Sequence, residues 1–187
     1  MDRGEITTRP IVAADAVTVA EMHTISWRSA YRGMLRDAYL DGDIAAERRQ
    51  AWTDRLGAPD AANYGFIAED GTGPVGFVYM LGGVDAVWGT LIDNLHVMPG
   101  LKGRGIGRRL LEAAALETGR RYPREPVHLF VFEANPAARR FYAGVGGREV
   151  ERGLVDPPGG GSQVHWRVAW DDADRLLASL RSEAARP

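Results

Sequence analysis

The apolar positions of this chain follow two rhythms, and the change from one to the other outlines its elements. Residues 5 to 12, EITTRPIV, read as a first strand, and Pro10 argues for an edge or an irregular end because proline cannot donate to a strand ladder. The period then lengthens. In DAVTVAEMHTISWRSAYRG, residues 15 to 33, Ala16, Ala20, His23, Trp27 and Ala30 recur at spacings of three and four, which predicts a helix with a core-facing stripe. Asp15 suits its amino end and Gly33 its stop. A second helix is predicted over roughly 43 to 56 from Ile44, Arg48, Ala51, Trp52 and Leu56, ahead of a GAPD break.

The middle of the chain changes period again. YGFIAED, GPVGFVYML and GTLIDNLHVMP are three strand-like runs with glycine-rich connections, which predicts an antiparallel meander. A long helix over about 105 to 122 places Ile106, Leu110, Ala113 and Ala114 on one face and stops short of Pro123. VHLFVF, residues 127 to 132, is dense enough in β-formers for a buried strand. Asn135 and Pro136 make a cap and first-turn pair for a helix over about 136 to 144, which ends among glycines 144, 146 and 147. Strands near 148 to 154 and 163 to 170 flank DPPGGGS, residues 156 to 162, which reads as a mobile hairpin tip or as a lid. DDADRLLASLRSEAARP reads as a terminal helix fraying into a tail. With no internal repeat, residues 1–172 are expected to form one domain and 173–187 a carboxy-terminal helix and tail.

Composition narrows the chemistry. There is no cysteine, hence no disulfide, thiolate nucleophile or cysteine metal site, and the four histidines (23, 96, 128 and 165) lack ligand spacing, so no metal is expected. No apolar run reaches the length of a membrane helix and MDRGEITTRP lacks a signal-peptide core, so the chain reads as cytoplasmic. A net charge of −2 offers no general attraction to nucleic acid. The basic residues are nevertheless uneven, because Lys102, Arg104, Arg108 and Arg109 fall in one stretch, MPGLKGRGIGRRLLEAA. A nucleic-acid module would interleave aromatic residues with that cluster, and residues 100 to 109 hold none.

A strand, a glycine-rich loop and a helix amino terminus together form an anion site, since orphan amides point out along the positive end of the helix dipole. Glycine lets that backbone approach a ligand closely, and Lys102, Arg104 and Arg108 add charge. The plain alternative is a loop with solvated charges. Neither familiar phosphate motif fits: Gly100 and Gly105 are not followed by the Lys-Ser/Thr of a P-loop, and the spacing of Gly103, Gly105 and Gly107 misses the dinucleotide fingerprint by one place.

HVMPGLKGRGIGRRLL instead resembles the acetyl-coenzyme A loop of the GNAT superfamily of N-acetyltransferases: Gln or Arg, two residues, Gly, any residue, then Gly or Ala. Lys102, Gly103, Arg104, Gly105, Ile106 and Gly107 occupy it, with lysine at the first position in place of the usual glutamine or arginine. NPAARRFYAGVGG resembles the later signature of the same family through Asn135, Ala138, Phe141 and Tyr142, and VHLFVF supplies the strand between. The resemblance runs from about residue 5 to 170, is firm over 89 to 147, and leaves the terminal helix outside.

That resemblance implies an α/β fold: a mixed, mostly antiparallel sheet of about seven strands flanked by helices, splayed between strands 4 (89 to 97) and 5 (127 to 132). It implies acetyl-CoA as cosubstrate, its pantetheine pairing with the backbone of Leu95, His96 and Val97, reached from the other side by Asn135, and its pyrophosphate on the amides of 103 to 108 beside Lys102, Gly103, Arg104, Gly105, Ile106, Gly107 and Arg108. Tyr142 matches the family's general acid, against the alternative of an aromatic packed beside Phe141. The base is open. Leu91 stands where many members carry glutamate; Asp93 serves if the strand is bulged, followed by His96 and Asn94, and Asn94 could instead orient substrate. Trp27, Tyr31, Trp88 and His165 are candidate acceptor walls, with core packing the alternative for most. The implied function is transfer of acetyl to a primary amine of a small molecule or peptide, with a catalytically idle acyl-CoA binder or sensor as the rival. No nucleic-acid or membrane partner is implied, and a homodimer is compatible with the family.

Overall fold

The computed structural model describes residues 4–184, and the side chains of 183 and 184 are not among those described. The expected tail after 184 lies outside that range. Strand β1 (Thr7–Pro10) leads through a short 3-10 turn into helix α1 (Ala16–Ala30), then α2 (Asp37–Leu40) and α3 (Ile44–Gly57). Strands β2 (Tyr64–Asp70), β3 (Gly73–Asp85) and β4 (Gly89–Val97) follow, then α4 (Ile106–Arg121), β5 (Val127–Phe132), α5 (Pro136–Gly144), β6 (Arg148–Val155), β7 (Gln163–Trp170) and α6 (Ala173–Ala184). The one-turn helix α2 has no counterpart in the sequence reading. The third strand also runs four residues further than GPVGFVYML, because Asp85 accepts from the amides of Val87 and Trp88 and turns the chain at the longer point.

All seven strands lie in one sheet in the order β1-β2-β3-β4-β5-β7-β6. Every pair is antiparallel except β4 with β5. One face of the sheet packs against α4 and α6. There Ile106, Leu110, Leu111, Ala114 and Ala115 meet Val75, Val78, Met80, Leu129 and Val131, and Leu176 and Leu180 complete the cluster. The terminal helix thus buries its apolar stripe in the main core. The other face, over β2 to β4, is covered by α1 and α3 through Val19, Met22, Trp52 and Leu56 against Ile67, Phe77 and Tyr79. Asp15 secures the entry to α1: its carboxylate accepts from Val12 N–H at 2.9 Å and from both Arg9 nitrogens at 2.8 and 2.9 Å.

Two irregularities prepare the site. The parallel β4–β5 ladder holds only two pairs, Thr90 with Val127 and Leu91 with His128, whereas β5 remains paired to β7 along all six of its residues. Beyond Leu91 the two strands diverge, and the edge of β4 turned towards β5 loses its strand partner. The second irregularity is a slip in the β3–β4 register: Tyr79 opposes Asn94 and Met80 opposes Ile92, so Asp93 is the extra residue of a bulge. Leu95 then returns to the α4 face with Val78, while Asn94 and His96 stay with Tyr79 and Phe77 on the α1–α3 face.

Candidate functional site

At the open end of the sheet gap, α4 begins. The chain is held up to that point, with Met98 N–H donating to Val75 O at 2.9 Å and Leu101 N–H to Met98 O at 3.1 Å. Then come Gly103 and Gly105, at φ of +82° and +78°, a region costly for residues with a Cβ. An added Cβ at either would meet no atom within 4 Å, so the bare backbone faces open space, not a packed neighbour. Arg109 N–H is the first helical donor, onto Gly105 O at 3.0 Å, which leaves the amides of Ile106 and Gly107 without an intrahelical partner. Gly107 differs: a Cβ there would lie 3.2 Å from the Phe141 ring, so this glycine lets α5 close against α4.

The basic side chains of the loop are not equivalent. Arg104 reaches the buried carboxylate of Asp70 at 3.3 Å, which joins the Thr72 hydroxyl and amide in holding that carboxyl below its usual range. Arg108 donates to Leu180 O at 3.3 Å, at the end of α6. Lys102 is exposed. Across the gap, Asn135 caps α5, its carbonyl oxygen accepting from Ala138 N–H at 3.1 Å, and its amide nitrogen keeps two donors for another partner.

Tyr142 is half-buried on α5, edge-on to Phe141 at 5.3 Å and to Trp170 at 6.4 Å. Burial, with a smaller contribution from Tyr31, raises its phenol above the usual range. Tyr31, at the end of α1, stands edge-on to Phe132 at 5.5 Å and to Trp27 at 5.4 Å, and burial pushes its hydroxyl up to about 12. The structure therefore gathers Tyr31, Phe132 and Tyr142 on the β5 side of the gap.

On the α1–α3 side, Asp93 and Asn94 open into a cavity of about 170 Å³ lined also by His23, Trp27, Arg48, Ala51, Trp52 and Arg55. Asp93 pairs with Arg55 Nη1 at 2.6 Å and accepts from Asn94 Nδ2 at 2.6 Å. Arg55 lies over the Trp52 ring at 4.9 Å and Arg48 over Trp27 at 5.0 Å. His96 is buried below them with Nδ1 2.9 Å from Ser26 Oγ, and desolvation, then Lys102, pushes it down to about 3. His23 packs 4.7 Å from His96 and is lowered as well, first by burial. A larger hollow of about 430 Å³ lies between α5 and the β6–β7 pair, where Arg139 is bound to Glu149.

Trp27 and Asn94 thus share one wall, while Tyr31 stands with Tyr142. Trp88 and His165 belong to a third group: Arg167 covers the Trp88 ring, and His165 stacks on Phe130 at 4.7 Å. Residues 156 to 162 lie over α2, since a Cβ at Gly159 would meet Tyr39 at 2.6 Å and one at Gly160 would meet Arg36 at 3.2 Å. Sequence reasoning gave no role to His23, Arg48 or Arg55. A histidine on an apolar stripe reads as core and arginines on an amphipathic helix read as solvated; here the ring stacks on Trp27, Trp52 and Tyr79 and the ion pair with Asp93 turn the arginines inward.

Residues 19–146 match the family model described as the acetyltransferase (GNAT) family. Several solved structures share the fold. A GCN5-related N-acetyltransferase from Rhodopseudomonas palustris is 22% identical with a TM-score of 0.70, covering 91% of this chain and 98% of that one. The PaiA N-acetyltransferase of Thermoplasma acidophilum, solved with coenzyme A, is 17% identical with a TM-score of 0.69 and coverages of 89% and 99%. The spermidine N-acetyltransferase SpeG of Vibrio cholerae is 17% identical with a TM-score of 0.66 and coverages of 93% and 98%. No curated protein matches the chain by sequence.

Proposed function

Because the chain belongs to the acetyltransferase (GNAT) family, we propose that it moves an acetyl group from acetyl-CoA to a primary amine by direct attack of the amine on the thioester. The observation that carries this reading is the coincidence of the short β4–β5 ladder with the open, positive-φ glycines at the start of α4. An extended amide chain fits the first and a diphosphate the second. The freed edge of β4 offers the backbone of Leu95, His96 and Val97 to the pantetheine, and Asn135 approaches with its amide nitrogen from the opposite wall. The amides of 103 to 108 receive the pyrophosphate. Compensating charge comes from the helix end and Lys102, while the Arg104 guanidinium is paired with the Asp70 carboxylate.

The amine arrives protonated and must give up a proton before its lone pair can form the C–N bond. Asp93, turned outward by the bulge, is the acceptor of that proton, while His96 is buried beneath the cavity against Ser26. As the tetrahedral adduct collapses and the C–S bond breaks, Tyr142 gives its proton to the departing thiolate, and the second proton lost by the amine nitrogen as the amide forms restores the phenol. Burial raises the phenol, so it keeps its proton until the thiolate forms beside it. Calorimetric titration with acetyl-CoA tests the reading: saturable one-to-one binding is expected, followed by thiol release when a panel of amines is added. Absence of binding overturns it.

A further inference from the structure

The cavity between α1, α3 and the β4 bulge contains an imbalance. His23 is 3% exposed, and its Nδ1 accepts from Trp52 Nε1–H at 2.9 Å. An indole nitrogen only donates, so Nδ1 carries no proton and the neutral ring must hold its hydrogen on Nε2. That Nε2–H is buried and has no partner. Nε–H of Arg48, on the same wall, is the second buried atom left without one. Both are donors. The one carboxylate among the lining residues, Asp93, meets Arg55 and Asn94 through Oδ2 and bonds neither of the two donors, and Glu47 takes another nitrogen of Arg48. Two unsatisfied donors in so small a space each cost on the order of 1–3 kcal/mol unless an acceptor arrives, and few native sites leave such groups without a purpose.

We propose that this cavity is the acceptor subsite, that His23 Nε2–H and Arg48 Nε–H bind a carboxylate of the substrate, and that the enzyme therefore acetylates amines carrying a nearby carboxylate, not polyamines. The inference rests on the acetyltransferase reading and adds the substrate class to it. An amine and a carboxylate on one small molecule match the two walls: the carboxylate meets the cation and donor on α1 and α3, and the ammonium meets Asp93 across about 170 Å³. Space for roughly six waters, at about 30 Å³ each, suits a compact zwitterion. A polycation such as spermidine would instead bring further ammonium groups against two guanidiniums, Arg48 and Arg55, with Asp93 the single carboxylate of the lining.

The test uses the full chain and separates this inference from its premise. Acetyl-CoA binding, measured first, reports on the premise alone. With acetyl-CoA saturating, thiol release is then followed with the standard L-amino acids, each beside its methyl ester, and with spermidine. At least one free acid should exceed its ester by ~10- to 100-fold in kcat/KM, the range of a charge-assisted hydrogen bond, with spermidine the poorest. Arg48→Met should erase the acid-over-ester ratio mainly through KM, and Arg48→Lys, which keeps charge and fold but loses Nε–H, should erase part of it. Calorimetry of the same acids without turnover gives a second readout, on which His23→Gln should lose affinity. Esters or spermidine used as well as free acids, or an acid preference untouched in Arg48→Met, would overturn the proposal even with acetyl-CoA binding intact.

Discussion

The two sides of β4 recognise by different means. Towards β5 and α4 the protein presents backbone: an unpaired strand edge, two glycines at positive φ and the amides of a helix end. Towards α1 and α3 it presents side chains from three elements, held by ion pairs, ring stacks and hydrogen bonds. A site made of backbone constrains sequence only through the residues that allow the backbone shape, and those are adjacent in the chain. A site made of side chains draws on residues as far apart as 23 and 94, and leaves no compact motif.

Substitution at the loop should separate the two sides most sharply. Gly105→Asp puts a Cβ at φ of +78° and a negative charge at the helix amino end, and saturable acetyl-CoA binding should disappear in calorimetry. Next in size, Tyr142→Phe should leave acetyl-CoA affinity in place and lower kcat by ~100-fold or more, the usual scale of a lost general acid; unchanged turnover at neutral pH would return Tyr142 to a packing role. A third effect belongs to the side-chain wall. His96, pushed down to about 3, stays neutral when folded but takes a proton at about 6.5 when unfolded. Between those values the unfolded chain binds more protons, so this contribution to stability is whole above pH ~6.5 and is lost as pH falls towards 3. Urea unfolding across pH 4 to 8 checks the slope, and Ser26→Ala should change it. The smallest effect is expected from Trp52→Phe. It keeps an aromatic ring at a buried position but loses volume there and leaves His23 Nδ1 without its donor, the lost bond alone costing about 1–2 kcal/mol of stability, and it frees the tautomer so that any acid-over-ester preference weakens.

Most of the fold was legible. The helix stripes of α1 and α4, the three-strand meander and the Asn135–Pro136 start of α5 each follow from periodicity or capping chemistry, which act within a few residues. α2 escaped because a four-residue turn has no period to detect; Leu40 is buried there by α3 and Trp27. The bulge at Asp93 was an open condition in the sequence, because a one-residue slip is visible only where β3 pairs with β4. Likewise, nothing local distinguishes Arg104, held by Asp70, from Lys102, which is exposed.

By itself the sequence determined every element but α2, the family resemblance and the glycine loop, since each depends on neighbours along the chain. Tertiary structure alone decided where β4 and β5 part, that Asp93 turns out of register, which basic side chains are already engaged, and that His23 and Arg48 bring two unsatisfied donors to one cavity. Those outcomes depend on pairing register and on contacts between residues distant in the chain, which the order of letters does not encode locally.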